Sequence, residues 1–271
     1  MSFQMHRQNE VQFLTSSLFS GLPGVRHAFS TRTGGVSPAP WDSLNMSPER
    51  GDDPENVREN YRRFCLAVGV DARRVFLNRQ VHEENVRLVT EEDAGKGLWF
   101  PQDYTSVDAA ITQTGSLPLI VFSADCGILL FFDPVTRSIG TCHAGWRGAA
   151  AGIAAKTVGE MRQAFGVDPK DLVCAIGPGI GPCCFETDED VPSAMHQALG
   201  TAADAYMEKQ GAKWHVDLKA INAHWLRAAG VPAAQIDICP DCTACHPELY
   251  WSHRRMGTQR GTQIGMIALE P

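Results

Sequence analysis

Residues 141–148, near the middle of the chain, combine residue types that are suited to catalysis. The segment reads Thr-Cys-His-Ala-Gly-Trp-Arg-Gly and lies between an apolar run, which predicts a strand, and the helical pattern of residues 149–165. Glycine at such a junction lets the backbone approach a ligand, and the start of a helix presents unpaired N–H groups to anions. Histidine binds metals or transfers protons. The segment, with His143, Arg147 and Gly148, therefore predicts chemistry on an anionic molecule.

The strands expected around this segment are residues 119–122, 128–132 and 138–142. A tight turn at residues 133–137 predicts that the last two form an antiparallel hairpin. If Asp133 pairs with Ser138, His143 lies opposite Ile128, and Cys126 lies two residues further along the same face. Diagonal neighbours on one face are about 7–8 Å apart, close enough to share a metal ion. The register therefore predicts that Cys126 and His143 bind one metal together.

A third ligand would complete a catalytic zinc site, in which a fourth position stays open. His82 is the best candidate because it follows a predicted strand in a polar segment, Gln-Val-His-Glu. Spacing alone does not join His82 to the pair, and a bulge at Gly127 would change the geometry. The alternative is a buried cysteine and two unrelated, hydrogen-bonded histidines.

The elements that must position these residues predict a mixed α+β fold. Helices are expected after the Asp-Asp-Pro cap at residues 52–54, for about 15 residues, and at residues 149–165, 191–199 and 218–229; further strands are expected at residues 75–77, 86–89, 108–112, 173–176 and 265–269. Residues 86–89 are expected to continue or pair with residues 75–77. Hairpins outnumber strand–helix–strand units, so we predict one α+β (mixed α/β) domain over residues 1–271, with central mixed or antiparallel sheets and flanking helices.

Composition excludes several classes of protein. The chain has 271 residues, of which 44% are hydrophobic and 20% charged, with a net charge of -7. This charge argues against extended binding to nucleic acid or anionic membranes. No apolar run approaches the roughly 20 residues that a membrane span needs, and residues 1–10 lack the apolar core of a signal peptide. We therefore expect a cytoplasmic protein whose nine cysteines are reduced thiols.

A second group of soft ligands lies at residues 239–246, where Cys239, Cys242 and Cys245 precede His246. The spacing from Cys242 to His246 matches a haem-attachment motif, but covalent haem attachment normally follows export. The four side chains also suit structural zinc or an iron–sulfur centre. Cys183 and Cys184 are adjacent and cannot both easily serve one metal, so packing in the protein interior is expected, with a place for Cys183 near the active pocket as the alternative. The role of the group at residues 239–246 stays open.

Nine short motifs occur in a specific order over residues 27–260. They are HAFSTR (27–32), GGVS (34–37), SLN (43–45), DDP (52–54), QVH (80–82), ADC (124–126), HAGWRG (143–148), GPGIGPCC (177–184), and the pair Arg254-Arg255 ahead of Arg260. This set resembles the laccase-domain family, which is also described as polyphenol oxidase-like and as purine nucleoside phosphorylases. The chain departs from the family pattern at Gly127, His253 and Gln259, where proline, tyrosine and glycine are usual. None of these departures removes a proposed metal ligand.

The resemblance implies a zinc site formed by His82, Cys126 and His143, with a fold similar to that of a cysteine-dependent toxin deamidase. It implies phosphorolysis of adenosine, inosine, guanosine and 5'-methylthioadenosine, and deamination of adenosine by an activated water. Three alternatives remain. Copper at the same ligands would allow phenol oxidation, although the chain lacks the His-x-His pairs of multicopper oxidases. A cysteine or zinc amidohydrolase would edit cell-wall precursors. A zinc-stabilised binding protein would have no catalytic activity.

Phosphorolysis also requires contacts to phosphate and to the nucleoside. Arg32, Arg147 and Arg255 are candidates for phosphate because arginine binds it through paired hydrogen bonds, aided by the amides near Gly148. Asn45 is a candidate for reading a base edge. Each of these residues has an ordinary alternative, which is a solvated surface charge for the arginines and a loop contact for Asn45. The expected partners are small molecules, a purine nucleoside and phosphate, and the sequence leaves the oligomeric state open.

Overall fold

A computed structural model describes residues 3–271 as two six-stranded sheets, a three-stranded sheet and surrounding helices. The strands are β1 (Phe3–Gln8), β2 (Val11–Ser16), β3 (Val25–Ser30), β4 (Phe76–Leu77), β5 (Val86–Leu88), β6 (Ala109–Thr112), β7 (Leu119–Ser123), β8 (Gly127–Asp133), β9 (Ser138–Ala144), β10 (Val173–Ile176), β11 (Glu186–Thr187), β12 (Met207–Gln210), β13 (Lys213–Val216), β14 (Ile236–Ile238) and β15 (Gln263–Leu269). The helices are α1 (Ser17–Ser20), α2 (Pro54–Val68), α3 (Trp146–Ala150), α4 (Ile153–Phe165), α5 (Asp190–Leu199), α6 (Leu218–Ala228) and α7 (His253–Met256).

The first large sheet has the strand order β1-β2-β3-β15-β7-β4, and the second has the order β14-β10-β8-β9-β6-β5. The small sheet has the order β11-β13-β12. Most neighbouring strands are antiparallel, whereas the pairs β4–β7, β5–β6 and β10–β14 are parallel. These mixed sheets confirm the predicted α+β class.

The two large sheets pack face to face. Phe29 and Ile267 of the first sheet join Ile128 and Phe132 of the second in one buried core. On the outer face of the first sheet, α2 packs against β7 and β15, and on the outer face of the second sheet α4 and α6 pack against β8. The strand β8 is buried on both faces, so it is apolar without alternation, as expected for a central strand. The result is a helix–sheet–sheet–helix arrangement of layers.

The central hairpin has the register that the sequence predicts. Asp133 pairs with Ser138, and Ile128 pairs with His143. The carboxylate of Asp133 accepts hydrogen bonds from the amides of Val135 and Thr136, which closes the turn. Pairing stays regular to the end of the hairpin, where Gly127 faces Ala144, so the bulge considered at Gly127 does not form.

The prediction of one continuous helix over residues 149–165 is wrong. The structure has a short helix, α3, and then α4, because the chain breaks at Ala151-Gly152. Gly152 has φ 72°, a left-handed conformation that a helix interior cannot contain. In contrast, α2 has the predicted 15 residues, with Asp53 capping its first turn and Gly69 ending it at φ 80°.

The strands β4 and β5 do not pair with each other. The expectation that residues 86–89 continue or pair with residues 75–77 is therefore wrong. β4 is an edge strand of the first sheet and pairs with β7, whereas β5 is an edge strand of the second sheet and pairs with β6. The segment between them therefore crosses from one sheet to the other. The chain makes the same crossing between β7 and β8, through Ala124, Asp125 and Cys126.

Among residues 3–271, no helix has the length and apolar character needed to cross a membrane.

Candidate metal centre

Three predicted ligands meet where the chain crosses between the large sheets. His82 lies in the crossing from β4 to β5, and Cys126 lies in the crossing from β7 to β8. His143 is near the end of β9, opposite Ile128. One ligand atom from each of these residues lies within 4.8 Å of the others. Two sheet crossings and one strand end therefore bring together side chains that are far apart in sequence.

The distances fit a shared metal ion. Cys126 Sγ is 4.0 Å from His82 Nε2, and the rings of His82 and His143 stand at 86° with their centroids 4.8 Å apart. Zinc binds sulfur at about 2.3 Å and imidazole nitrogen at about 2.0 Å, so ligand atoms around a tetrahedral ion are roughly 3.5 Å apart. One thiolate and two imidazoles form a donor set that suits zinc or copper. The arrangement supplies three ligands and leaves further positions for substrate or water.

A buried carboxylate, Asp108, organises both histidines. Its Oδ1 lies 2.8 Å from His143 Nδ1 and accepts a hydrogen bond from the His82 amide at 3.0 Å. Its Oδ2 accepts from the amides of Val81 and Glu83, each at 3.1 Å. A carboxylate that holds Nδ1–H of a histidine leaves Nε2 free to bind a metal. Asp108 thus fixes the ring of His143 and the loop of His82 together.

Two ligand-bearing segments have left-handed backbone conformations. His82 has φ 66° and Asp125, next to Cys126, has φ 96°, values that non-glycine residues seldom adopt. The carboxylate of Asp125 accepts hydrogen bonds from Thr243 Oγ1 at 2.6 Å and from the Arg254 amide at 2.7 Å. These contacts hold the turn that presents Cys126, so Asp125 supports the site through the backbone.

Gly145 provides the space that the three ligands occupy. A Cβ atom at this position would lie 3.1 Å from His82 Cδ2, 3.2 Å from Cys126 Sγ and 3.7 Å from His143 Cε1. Its φ is -64°, so the backbone itself does not need glycine. The glycine of the predicted strand–helix junction is therefore required by the closeness of the ligands.

Cys126 and His143 form an ion pair at neutral pH. Burial acts to raise the pKa of Cys126, but the charge and hydrogen bond of His143 and the hydrogen bond of His82 lower it from 9.0 to about 6. Burial likewise opposes charging of His143, but the charges and hydrogen bonds of Cys126 and Asp108 raise its pKa from 6.5 to about 9. The thiolate that metal binding requires is therefore present at pH 7.

A cleft of about 130 Å³ extends from His82 toward Arg50, Phe122 and Thr262. Asn78 lines this cleft, and its side chain is only 3% exposed. Within the described residues, neither its amide nitrogen nor its amide oxygen has a hydrogen-bond partner. A buried amide without partners is costly unless a ligand satisfies it. Asn78 thus offers a donor and an acceptor to a molecule in the cleft.

Arg260 brings positive charge to the same region. It is 5% exposed, and one of its Nη atoms donates to the Gly261 carbonyl at 2.8 Å, while its Nε has no partner within residues 3–271. Burial and the charge of Arg50 lower its pKa from 12.5 to about 10, while the charges of Asp125 and Cys126 act in the opposite direction. Arg50 thus lines the cleft, and the charge of Arg260 acts on both Arg50 and Cys126.

The residues proposed from sequence for substrate binding fall into two groups. Arg147 and Arg255 are exposed, and Arg147 lies over the Trp146 ring at 4.2 Å. Gly148 is buried in α3, where a Cβ would lie 3.6 Å from the carbonyl of His143.

Arg32 and Asn45 make contacts within the protein. Arg32 donates to the carbonyls of Asp42 and Pro247 and stacks over Trp251. Asn45 is fully buried, donates to Asp52 and accepts from the Thr262 amide. Both side chains thus hold loops together behind the cleft, which is the ordinary alternative considered for Asn45.

Asp108, Asn78 and Arg260 were not selected from the sequence as site residues. The signal for Asp108 was its position at the start of a predicted strand that pairs with the strand of His143. Asn78 lies beside the Gln-Val-His motif, and Arg260 belongs to the last motif. Only the fold shows that Asn78 lines the cleft, that Asp108 holds His143, and that the charge of Arg260 acts on Cys126.

Fold and site together define a mixed α+β protein with a Cys-His-His candidate metal centre at the crossing of two sheets. The model of the family described as multi-copper polyphenol oxidoreductase laccase matches residues 26–270, and the chain belongs to this family.

Several relatives have been named by their activity. Purine nucleoside phosphorylase YlmD of Geobacillus stearothermophilus is 35% identical over 250 residues, which cover 90% of this chain and 89% of YlmD. Purine nucleoside phosphorylase YfiH of Escherichia coli is 34% identical over 232 residues, covering 86% of this chain and 89% of YfiH. The crystal structure of Geobacillus stearothermophilus YlmD superposes with a TM-score of 0.91 at 32% identity, covering 100% of this chain and 99% of that one.

Proposed function

We propose that this protein is a purine nucleoside phosphorylase that uses zinc held by His82, Cys126 and His143. The observation that carries the proposal is the convergence of these three ligands beside a cleft lined by Asn78 and Arg50. The names of relatives such as YlmD and YfiH support the activity.

The chain's own residues account for the binding that phosphorolysis needs. The guanidinium group of Arg50, which lines the cleft, attracts a phosphate dianion, and the positive charge of the nearby, buried Arg260 adds to this attraction. The amide of Asn78 matches the adjacent donor and acceptor positions on the edge of a purine. In the reaction the C1'–N9 bond breaks, a phosphate oxygen bonds to C1', and the leaving base takes a proton. When bound, zinc supplies a Lewis acid that stabilises developing negative charge.

Adenosine deamination is a second proposed activity of the same site. His82 is exposed at the cleft, so the three-ligand set is accessible to a small molecule from that side. Three protein ligands with an open position also suit the activation of water. We favour zinc over copper because, within residues 3–271, the only other cluster of metal-binding side chains consists of four cysteines. A multicopper oxidase needs several histidine-rich sites.

The decisive experiment incubates zinc-loaded protein with adenosine, inosine or guanosine, with and without inorganic phosphate. We expect free base and ribose 1-phosphate only when phosphate is present, and inosine with ammonia from adenosine in both conditions. Separation of the products by chromatography identifies each reaction. Base release that does not depend on phosphate would contradict phosphorolysis.

Variants connect the activity to the site. His82→Ala removes an exposed ligand without opening the core, so it should stay folded and lose both activities. His246→Ala, which removes an exposed histidine outside the ligand set, is the matched control and should keep them. Unchanged turnover in His82→Ala protein would overturn the proposed centre.

A further inference from the structure

Four cysteines from two distant loops converge on the surface beside the Asp125 turn. Cys183 and Cys184 follow β10, and Cys242 and Cys245 follow β14. Their four sulfur atoms all lie within 4.8 Å of one another. The sulfur of Cys245 is 3.6 Å from that of Cys183 and 3.5 Å from that of Cys184. Nothing in the proposed reaction uses these thiols.

The membership of this cluster corrects the sequence-based grouping. Cys239 is fully buried in the core between the sheets, and the ring of His246 faces Glu248 at 3.2 Å, so neither joins Cys242 and Cys245. Cys183 and Cys184 join the cluster instead, although their adjacency argued against a shared metal. Both sulfurs reach the cluster because the chain turns at this point, where the amide of Cys184 donates to the carbonyl of Gly181.

The sulfur spacing is that of a tetrahedral metal site. With metal–sulfur bonds of about 2.3 Å, the edge of a zinc–thiolate tetrahedron is about 3.8 Å. The two closest contacts are slightly shorter than this edge, and both are far longer than a disulfide bond of about 2.05 Å. All nine cysteines are free thiols. Small shifts of the side chains, of which those of Cys183 and Cys245 are exposed, would place the four sulfurs around one ion.

Backbone groups are arranged around Cys242 as they are around a metal-bound thiolate. The Gly181 amide donates to Cys242 Sγ at 3.2 Å, and a Cβ at Gly181 would lie 3.3 Å from Cys183 Sγ. The same Cβ would lie 3.6 Å from Cys242 Sγ, so the absence of a side chain at Gly181 lets the sulfurs of Cys183 and Cys242 lie side by side.

We propose that Cys183, Cys184, Cys242 and Cys245 bind a structural zinc ion, separate from the centre at His82, Cys126 and His143. The Cys-x-x-Cys spacing of Cys242 and Cys245 and four soft ligands without an open position are features of structural zinc sites. The ion ties the two loops that hold the Asp125 turn, because the Ile180 amide donates to the Asp125 carbonyl and Thr243 donates to its carboxylate.

The test is metal content per chain, measured by elemental analysis after gel filtration in zinc-free buffer. The wild-type protein should hold about two zinc ions per chain, and Cys245→Ser and Cys126→Ser about one each. Because Cys245 is exposed, its substitution leaves the core intact. One ion in the wild type that is lost only in Cys126→Ser protein would overturn this proposal and leave the proposed function standing. One ion in the wild type that is lost only in Cys245→Ser protein would support this proposal and overturn the proposed zinc centre at His82, Cys126 and His143.

Two further measurements leave the four cysteines of the cluster unchanged, so they do not depend on the folding of a variant at this site. Cobalt loaded into the protein should give the intense visible absorption of a tetrathiolate site, and this absorption should persist in Cys126→Ser protein. The exposed thiols of Cys183 and Cys245 should react with a disulfide reagent only after a chelator is added. Immediate reaction without a chelator, or an intact mass lower by two hydrogen atoms, which indicates a disulfide, would overturn the zinc site.

Discussion

Asp108 is not one of the three proposed metal ligands, but its carboxylate positions two of them. It is fully buried, and every hydrogen bond that it accepts comes either from His143 or from the loop of His82. Burial opposes ionisation, but the hydrogen bonds of His143 and of the Val81 and Glu83 amides lower its pKa. The carboxylate therefore stays charged and fixes Nε2 of His143 toward the metal position.

Asp108→Asn should weaken zinc binding by about 10–100-fold, the usual effect of losing a carboxylate behind a metal-binding histidine. The amide keeps the size of the side chain but cannot accept from all four donors with the same strength. Competition with a chromophoric chelator measures the affinity. Asp93→Asn is the matched control, because Asp93 is another buried carboxylate whose partners, Arg87 and Lys96, lie outside the site. An equal loss of zinc affinity in both variants would show that Asp108 affects zinc binding only through the stability of the fold.

Zinc affinity should depend on pH through Cys126 and His143. Below about pH 6 the Cys126 thiol is protonated, and between about pH 6 and 9 His143 still carries a proton that zinc must displace. We therefore expect release of about one proton per zinc at pH 7.5, and more below pH 6. Above pH 9 this release disappears. Calorimetry in buffers of different ionisation enthalpy measures the release, and a value of zero at pH 7.5 would contradict the ion pair.

At the scale of elements, the hairpin β8–β9 is the part of the site that the sequence predicts best. The Asp133 turn sets the register, and a regular ladder carries this register to His143 and Gly127 without a bulge. Local turn chemistry therefore determines a distance between residues that are far apart in sequence. His82 is different. Its place beside Cys126 depends on the crossing between sheets, which no local pattern encodes. The sequence offered His82 as a candidate ligand, and the family resemblance joined it to the pair.

The break between α3 and α4 was missed for a related reason. The apolar spacing of residues 149–165 is helical throughout, and one glycine does not end such a pattern. In the structure Gly152 adopts φ 72°, and the indole N–H of Trp225 donates to the carbonyl of Ala149 at 2.7 Å. A side chain from another helix thus satisfies the end of α3, and this tertiary contact is invisible in the local sequence.

Two glycines near the junction between β9 and α3 allow the effect of ligand packing on zinc binding to be measured separately from fold stability. Gly145→Ala should reduce zinc binding strongly, because its Cβ would lie close to all three ligands while its φ of -64° suits alanine. Gly152→Ala should instead lower the free energy of unfolding by about 1 kcal/mol or more, because φ 72° strains alanine, and should keep zinc.

Zinc content and urea unfolding curves of the two proteins check this pair. Normal zinc content in Gly145→Ala protein would show that the ligands can move aside, and that the glycine is not needed for their approach.

For the whole molecule, the proposed centre lies where the two large sheets are joined by the chain. His82 and Cys126 each lie in a crossing from the first sheet to the second, and His143 lies on the second sheet. The sheets otherwise meet mainly through the apolar core around Phe29 and Ile128. An ion bound by all three side chains therefore links both crossings to the second sheet, so metal binding and overall stability are coupled.

Zinc bound at the His82 centre should accordingly raise the melting temperature by itself, without the second ion. The Cys245→Ser background removes the proposed second ion, so that one site contributes. At a free zinc concentration of 100 times the dissociation constant, binding adds about 2.7 kcal/mol, which corresponds to roughly 5–10 °C for a chain of this size. Scanning calorimetry with and without zinc measures the shift. His82→Ala in the same background should show almost none, and an equal rise in both proteins would mean that zinc stabilises the fold elsewhere.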